Sequence, residues 1–325
     1  MSGVRLKGFK QTITLMEALK RLTSKVSLNL GVEEVPLLEG LGRILAENVR
    51  APISLPPFDR AAMDGYAVRA EDVEAASPSN PILLRVVGEA EVGSAYQGSV
   101  KAGEAVQIGT GAPMPMGANA VLMFEYSKLL EDGETLEVYR SLTPGENVAR
   151  AGEDVKAGEE VLHEGVLLKP QDLALLAALG FSRVKVRVRP KVAVLSVGGE
   201  LLEPGFKKTP GKIYDANRYF LLPALREAGC IPLDLGICPD RAEEIHGRIF
   251  TVKGEADLYL ICGGSSAGSS DLTLKALSGA GGFHLVFHGV SIRPGRPLAA
   301  GLLEGKPVIV LPGYPASAML TFHVF

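Results

Sequence analysis

Residues 192–200 read VAVLSVGGE, an apolar run that ends in two glycines and an acidic residue. A strand that is apolar on both faces is typical of a parallel sheet covered by helices on each side. The same alternation of strand and helix continues along the chain. It predicts strands at Val192–Val197, Ile231–Ile237, Leu258–Cys262 and Val308–Leu311, and helices at Tyr219–Ala228, Arg241–Val252 and Ala316–Val324. The chain after Pro190 is therefore predicted to form a parallel sheet covered by helices on both sides, which is a three-layer α/β arrangement.

The first half of the chain has a different pattern. Residues 14–28 are predicted to form an amphipathic helix, because apolar residues recur there at helical spacing. From Ala51 to Val148, short strand-like runs alternate with Gly, Pro and Asn turns, which favours a small all-β unit. Its predicted strands are Ile82–Val87, Ala105–Ile108, Ala120–Met123 and Thr135–Tyr139. A further helix is predicted from Pro170 to Gly180.

The composition disfavours several classes of protein. A chain of 325 residues is long enough for two or three domains. The net charge of −3 disfavours nucleic-acid binding, so an anionic ligand would need a local basic site. Three cysteines without a C-x-x-C spacing disfavour both a disulfide framework and a structural zinc site. Because no stretch resembles a secretory signal or a membrane span, we expect a cytoplasmic protein.

Three predicted strand ends are rich in small residues: Ser196–Glu200, Gly263–Asp271 and Pro312–Ser317. Ligands of open α/β sheets bind at the carboxyl ends of strands, where glycines let backbone N–H groups approach a phosphate. The second loop is the strongest candidate, because its serines add hydroxyl donors. Tight turns without a ligand are the alternative interpretation. Neither a P-loop nor a G-x-G-x-x-G motif follows these strands, which disfavours generic NTPase and dinucleotide sites.

Charged residues suggest an anion and a divalent metal ion. Arg293 and Arg296 flank a Pro-Gly turn, so they could hold one anion together or form a solvated basic turn. Six carboxylates are candidates for acid–base chemistry or magnesium binding: Asp64, Asp154, Glu200, Asp215, Asp240 and Asp271. Each of them could instead be a helix-capping or turn residue. Thr110 lies between two glycines, where its hydroxyl could face a ligand or fill a turn. His284 and His288 are four residues apart in a predicted strand, which disfavours a shared metal ion.

A series of short motifs lies in a specific order along nearly the whole chain. They are PFDRAAMDGYA at 57–67, GTGAPMP at 109–115, GEN at 145–147 with GED at 152–154, GKIYDAN at 211–217, the loop 263–271, RPGRP at 293–297 and LPGYPAS at 311–317. Each motif alone is weak, but the ordered set resembles the molybdopterin molybdenumtransferases, the family of MoeA and the gephyrin E domain.

The resemblance implies a molybdopterin-binding α/β domain with a mixed, mostly parallel sheet at residues 181–325. It also implies an elongated N-terminal α+β arm for dimerisation at residues 1–50 and 149–180, with an inserted β subdomain at residues 51–148. The implied reaction inserts molybdate into adenylylated molybdopterin and releases AMP, with Mg²⁺ as cofactor. A homodimer and a partner of the molybdopterin adenylyltransferase type are expected, without nucleic acid or a membrane.

The same resemblance assigns residues to the site. Active-site positions are Asp64, Thr110, Asp154, Glu200, Asp240 and Asp271, of which Asp240 and Asp271 would bind the metal ion. Molybdopterin would be bound by Gly263, Gly264, Ser265, Ser266, Gly268, Arg293, Arg296, Pro312, Pro315 and Ser317.

The chain also departs from the family pattern. The less usual residues are Gly199 for a polar residue, Cys262 for serine, Ser269 for an acidic residue, Gly289 for a basic one, Arg293 and Arg296 for lysine, and Tyr314 for asparagine. By the family pattern, we expect this sequence to lack the family's C-terminal β domain. A non-catalytic molybdopterin carrier or scaffold on the same fold is therefore the alternative hypothesis, and an unrelated phosphate-binding enzyme is a more distant one.

Overall fold

The structure is a computed structural model that describes residues 12–263, 270–279 and 281–325, without the side chains of residues 270 and 271. Its α-helices are α1 (Leu15–Thr23), α2 (Pro170–Ala178), α3 (Asn217–Glu227), α4 (Ala242–Phe250), α5 (Ser270–Gly279) and α6 (Pro315–Val324). Short 3₁₀ helices lie at Leu37–Gly40, Ala70–Val73 and Phe124–Tyr126. Among the described residues, none of the helices has both the length and the apolar character needed to cross a bilayer.

The strands of the first half are β1 (Val32–Pro36), β2 (Val49–Arg50), β3 (Arg60–Ala61), β4 (Gly65–Val68), β5 (Ile82–Ala90), β6 (Glu104–Ile108), β7 (Ala120–Met123), β8 (Ser127–Leu129), β9 (Thr135–Val138), β10 (Val148–Ala149) and β11 (Glu160–Leu162). Those of the second half are β12 (Arg183–Arg187), β13 (Lys191–Val197), β14 (Leu201–Leu202), β15 (Ile213–Tyr214), β16 (Ile231–Cys238), β17 (Leu258–Gly263), β18 (Phe283–His288), β19 (Ala299–Leu303) and β20 (Lys306–Leu311).

The chain divides into two compact units. One unit comprises Met1–Glu33 and Arg187–Phe325, and the other comprises Glu34–Val186. We call them the discontinuous unit and the central unit. The finer division into an arm, an inserted β subdomain and an α/β domain stays a prediction.

The discontinuous unit is built on a six-stranded sheet in the order β16-β13-β17-β20-β19-β18. The strands β16, β13, β17 and β20 are parallel, whereas β19 is antiparallel to both of its neighbours. Successive residues of β13 enter opposite cores: Val194 contacts the core that includes Leu221 of α3, and Leu195 contacts the core that includes Ile245 of α4. The three-layer α/β fold with a mixed, mostly parallel sheet is therefore confirmed.

The predicted elements of this unit are confirmed, with small changes at their ends. The helix predicted over 14–28 is shorter, because Thr14 caps it by accepting the Glu17 N–H at 3.2 Å and the last turn ends at Ser24. Helix α3 begins two residues earlier than predicted, since the Asp215 carboxylate accepts the Arg218 N–H at 3.1 Å. The short strand β19, AAGLL, was not predicted, because small residues carry no clear period of two.

The central unit contains a six-stranded sheet in the order β7-β4-β6-β5-β9-β8. All the strands predicted between Ala51 and Val148 are present in this sheet, although β5 runs on to Ala90. Two strands of this sheet were not predicted: β8, and β4, which pairs antiparallel with both β6 and β7. Gly65 allows this pairing, because a Cβ there would lie 1.8 Å from the Leu122 carbonyl oxygen. The predicted helix from Pro170 is confirmed as α2 and buries Leu173 and Leu176.

Candidate functional site

The carboxyl ends of several strands meet at one edge of the sheet in the discontinuous unit. Parallel pairing of β13, β16, β17 and β20 places the residues that follow each of them at this edge. Strand β18 also runs parallel to β20, because β19 between them is antiparallel to both. The edge therefore brings together Glu200, Asp240, Gly263, Pro312 and the loop that carries Arg293 and Arg296.

Glu200 and Asp240 follow neighbouring strands, and both are exposed. The Gly199 N–H donates to Asp240 Oδ2 at 2.8 Å, and the Lys212 ammonium donates to the Gly199 carbonyl. The Glu200 carboxylate lies over Gly198, where a Cβ would be only 2.8 Å from Oε2. Two adjacent glycines thus make room for a pair of carboxylates at the rim of the sheet.

These two carboxylates fit the ligand chemistry of magnesium. Mg²⁺ is usually held by one or two carboxylates and keeps several water molecules. One oxygen of Asp240 and both oxygens of Glu200 accept no hydrogen bond from the described residues, so they remain available to a hard cation. No group of three or more His, Cys, Asp or Glu side chains in the described part of the chain could hold a metal ion. The Asp271 side chain, the other predicted metal ligand, lies outside the described residues.

Gly263 ends β17 in a conformation that only glycine adopts easily. Its φ is +102°, and a Cβ would lie 2.0 Å from the Val197 carbonyl oxygen on the neighbouring strand. The absence of a side chain at this strand end leaves room for backbone N–H groups beside a ligand. The predicted ligand contacts Gly264, Ser265, Ser266 and Gly268 lie outside the described residues.

Arg293 and Arg296 line a surface pocket of about 380 Å³ together with Ser291 and Ile292. Both arginines are exposed, and neither side chain forms an ion pair with a residue in the described ranges. The backbone between them is held, because the Val290 N–H donates to the Arg296 carbonyl at 3.0 Å. Two uncompensated guanidinium groups on one pocket are suited to an anion.

The third loop is tied to its neighbours by hydrogen bonds. Asn217 Nδ2 donates to the Gly313 carbonyl at 2.7 Å, and the Cys262 thiol donates to the Pro312 carbonyl at 3.4 Å. Burial raises the pKa of Cys262 to about 12, so this thiol stays protonated. Pro315 begins α6, and Ser317 in its first turn is only 7% exposed.

A buried arginine, Arg218, is surrounded by three carboxylates close to this edge, and the sequence did not predict this cluster. Arg218 is 5% exposed and donates to Asp234 at 2.6 Å, to Asp215 at 3.2 Å and to Glu203. Burial opposes the charge of Arg218, but the three carboxylates together raise its pKa. Asp215 thus accepts a hydrogen bond from the first turn of α3 and is also an ionic partner of Arg218, although the N-cap residue itself is Ala216. The sequence DANR at 215–218 places an acidic residue three positions before Arg218, but the sequence alone does not show that Arg218 is buried.

In the central unit, the structure brings Asp64 and Thr110 together. Asp64 Oδ1 accepts the backbone N–H and the hydroxyl of Thr110, each at 2.7 Å. These two bonds lower the pKa of Asp64. Both residues are exposed, so the hydrogen-bonded pair faces solvent. The hydroxyl of Thr110 therefore does more than fill a turn, since it fixes one carboxylate oxygen.

Asp154 follows a tight turn in the same unit. Its N–H donates to the Leu55 carbonyl at 3.0 Å, and its side chain is exposed. The turn is fastened by Asp59, which accepts the Ala151 N–H at 2.8 Å and Arg150 Nη1 at 3.0 Å. Asp59 belongs to the motif at 57–67, but the sequence alone indicated no role for it.

Comparison with known proteins identifies both halves of this architecture. Residues 193–325 match the family described as the probable molybdopterin binding domain, and residues 13–180 match the MoeA N-terminal region, domains I and II. A molybdopterin biosynthesis MoeA protein of Pyrococcus horikoshii superposes with a TM-score of 0.84 at 38% identity, over 97% of this chain and 77% of that one. The class is thus a molybdopterin-binding α/β protein with a MoeA-type N-terminal region.

Named relatives then give the family. Molybdopterin molybdenumtransferase 2 of Mycobacterium tuberculosis is 40% identical over 297 residues, which are 90% of this chain and 72% of the relative. The molybdopterin molybdenumtransferase of Haemophilus influenzae is 39% identical over 311 residues, which are 96% of this chain and 75% of the relative. The chain belongs to the molybdopterin molybdenumtransferases, which are enzymes of molybdenum cofactor biosynthesis.

Proposed function

We propose that this chain inserts molybdate into adenylylated molybdopterin and releases AMP. The observation that carries the proposal is the carboxyl edge of the sheet in the discontinuous unit. That edge combines two available carboxylates, a strand end without a side chain and two arginines that form no ion pair with the described residues. A phosphorylated, anionic substrate needs this combination of backbone donors, guanidinium groups and metal-binding oxygens.

The residues of the site would have different roles according to their chemistry. Arg293 and Arg296 would bind the anionic groups of the substrate, and the backbone near Gly263 would approach its phosphate. Glu200 and Asp240, with Asp271, would hold Mg²⁺, which when bound neutralises charge on phosphate oxygens. Insertion of molybdate depends on close positioning of the two substrates more than on a protein nucleophile. Asp64, Thr110 and Asp154 are proposed to act in the same reaction on the basis of the family motifs.

The experiment measures AMP release from adenylylated molybdopterin by the purified full-length protein. We expect release to require molybdate and to be stimulated by Mg²⁺. Glu200→Gln and Asp240→Asn should each lower kcat about 100-fold, as loss of a group that stabilises developing charge commonly does. Glu255→Gln is the matched control, because Glu255 is an exposed carboxylate that pairs with Lys191 at the start of β13.

The carrier or scaffold alternative predicts a different result in the same experiment. A wild-type protein that binds molybdopterin but releases no AMP when molybdate and Mg²⁺ are added would favour that alternative. The relatives that match most of this chain are named molybdopterin molybdenumtransferases, which favours the enzyme over the carrier or scaffold.

We also propose that the protein is a cytoplasmic homodimer that receives its substrate from a molybdopterin adenylyltransferase. Exposed apolar side chains on one short segment support self-association: Leu38, Leu41 and Ile44 are 85%, 51% and 38% exposed. Ile44 also pairs with Leu167, which is 49% exposed. Sedimentation of the full-length protein tests the dimer, and a monomer at micromolar concentration would contradict it.

A further inference from the structure

We propose that Asp59 and Arg150 form a clasp that positions Asp154 relative to the Asp64–Thr110 pair. Neither residue is proposed to touch the substrate. Both act through the turn of residues 150–154, and the catalytic part of this proposal rests on the proposed function.

The clasp has two attachments to the turn. Asp59 Oδ1 accepts the Ala151 N–H at 2.8 Å, and Oδ2 accepts Arg150 Nη1 at 3.0 Å. The Ala151 N–H, partly opposed by burial and aided by Arg150, lowers the pKa of Asp59, so the carboxylate stays charged at neutral pH. One side chain therefore holds both the backbone and the guanidinium of the turn.

The turn itself leaves little freedom to Asp154. The Glu153 N–H donates to the Arg150 carbonyl at 3.1 Å, and the Arg150 N–H donates to Glu153 Oε2 at 2.8 Å. The Gly152 N–H donates to the Pro56 carbonyl at 2.9 Å. Asp154 is thus anchored on one side by its own N–H bond to Leu55 and on the other by the clasp.

The segment that carries Asp59 also holds the Thr110 loop. The Met114 N–H donates to the Asp59 carbonyl at 2.9 Å, and the Gly111 N–H donates to the Ala61 carbonyl at 2.8 Å. The backbone of residues 59–61 therefore binds the loop of Thr110, while the side chain of Asp59 binds the turn of Asp154. A change in the clasp would alter one of these attachments and leave the other in place.

The Arg150 guanidinium also packs closely against Gly145. A Cβ at Gly145 would lie only 2.7 Å from Arg150 Nη2, so the glycine leaves space for the guanidinium. Gly145 and Arg150 flank β10, and this strand pairs with β3. The guanidinium is therefore placed by packing as well as by its charge.

The energy of this ion pair indicates that the clasp matters more for the geometry of the site than for the stability of the fold. The two side chains are 53% and 40% exposed, and ion pairs of this kind contribute little to folding. Small misplacements of a reacting or positioning group, on the order of 1 Å, can however cost about 100-fold in rate. The clasp should therefore affect turnover more than unfolding.

The test compares Asp59→Ala, Arg150→Met and Arg150→Lys in the full-length protein. We expect the first two to lower kcat for AMP release at least about 10-fold, with KM changed less than about 2-fold. Arg150→Lys, which keeps the charge, should restore part of kcat. The double variant Asp59→Ala/Arg150→Met should be no worse than the poorer single variant, because the two groups act as one unit.

The matched control is Arg183→Met. Arg183 pairs with Glu34 at 3.0 Å in the same unit, with side chains 50% and 53% exposed, but on a different pair of strands. It should leave kcat unchanged. A kcat within 2-fold of wild type for Asp59→Ala and Arg150→Met would overturn the positioning role.

Hydrogen–deuterium exchange separates this proposal from the proposed function. Asp59→Ala should speed exchange in peptides that contain residues 150–155, whereas Arg183→Met should not. If the wild type releases no AMP, the proposed function fails, and the exchange comparison alone decides whether the clasp holds the turn. Unchanged exchange in Asp59→Ala would overturn the clasp.

Discussion

Asp64 and Thr110 show how a small hydroxyl residue sets the charge of a neighbouring acid. The hydroxyl and the N–H of Thr110 both donate to one oxygen of Asp64, and a hydrogen bond to the charged form favours that form. The pKa of Asp64 is therefore lowered in the folded protein. The stabilisation that results is present above the unfolded pKa and is lost as the pH falls through the folded value.

Thr110→Val should raise the pKa of Asp64 towards its ordinary value, because one of the two donors is removed while the N–H remains. The acid limb of AMP release should then move to higher pH. Carboxyl NMR titration measures the first effect and a pH–rate profile the second. Thr135→Val is the matched control, since Thr135 donates to Asp132 in the same way at 2.6 Å. An unchanged pKa of Asp64 in Thr110→Val would contradict the assignment.

Cys262 is expected to be unreactive in the folded protein. Burial raises the pKa of its thiol to about 12, and only the thiolate is a strong nucleophile. Iodoacetamide at pH 8 should therefore modify Cys230, which is partly exposed, before Cys238 and Cys262, which are both 1% exposed. Mass spectrometry of the native and the urea-unfolded protein locates the label. Early modification of Cys262 in the native protein would show that this strand end is open to solvent.

At the scale of elements, the site depends on how closely strand ends approach one another. Gly263 and Gly198 lie at the carboxyl ends of neighbouring strands. A Cβ added at either position would be too close to nearby atoms. The Gly263 contact is with backbone, which cannot rotate away. Glycine at this position is therefore a requirement of sheet packing as well as of ligand approach.

Gly263→Ala should destabilise the protein by roughly 1–3 kcal/mol, because a methyl group would meet the Val197 carbonyl and the positive φ disfavours alanine. Gly254→Ala is the control, since nothing lies within 4 Å of a Cβ there. It should change the free energy of unfolding by less than about 0.5 kcal/mol. Urea denaturation followed by circular dichroism measures both, and equal effects would contradict the steric argument.

Elements with helical spacing or a continuous apolar run were predictable from the sequence, and elements with neither pattern were not. The apolar runs of β13 and β17 are buried on both faces, so composition alone indicated them. Helix α5 and eleven of the twenty strands in the described residues, β4 and β19 among them, were not predicted. In β4, glycine replaces the expected large residue because the neighbouring backbone is close. Pairing with adjacent strands stabilises such segments, and their own sequence carries little preference.

At the scale of the whole molecule, each compact unit has its own hydrophobic cores. The cores of the central unit include Leu45 and Leu176 in one cluster and Leu122 and Leu136 in another. Its first and last residues are also brought near each other, because the Leu37 N–H donates to the Ser182 carbonyl at 2.9 Å. A continuous segment with its own cores and adjacent ends has the usual features of an independent domain.

Residues 34–186 expressed alone should therefore fold. We expect a β-rich circular dichroism spectrum and a cooperative thermal transition. Leu136→Ala within this segment should lower its stability by about 2–5 kcal/mol, because Leu136 is fully buried. Leu129→Ala, at an exposed position of the neighbouring strand β8, serves as the control. A segment without a cooperative transition would show that its cores need the rest of the chain.

The sequence by itself determined the class of fold, five of the six α-helices and nine of the twenty strands in the described residues, and the family motifs. These follow from local patterns, since burial on both faces, helical spacing and Gly or Pro turns are visible in consecutive residues. Only the tertiary structure decided that Thr110 fixes Asp64, that Arg218 is buried among three carboxylates, and that Asp59 fastens the turn of Asp154. These contacts join residues that are far apart in the chain or whose burial depends on packing, and the order of amino acids does not state which side chains meet.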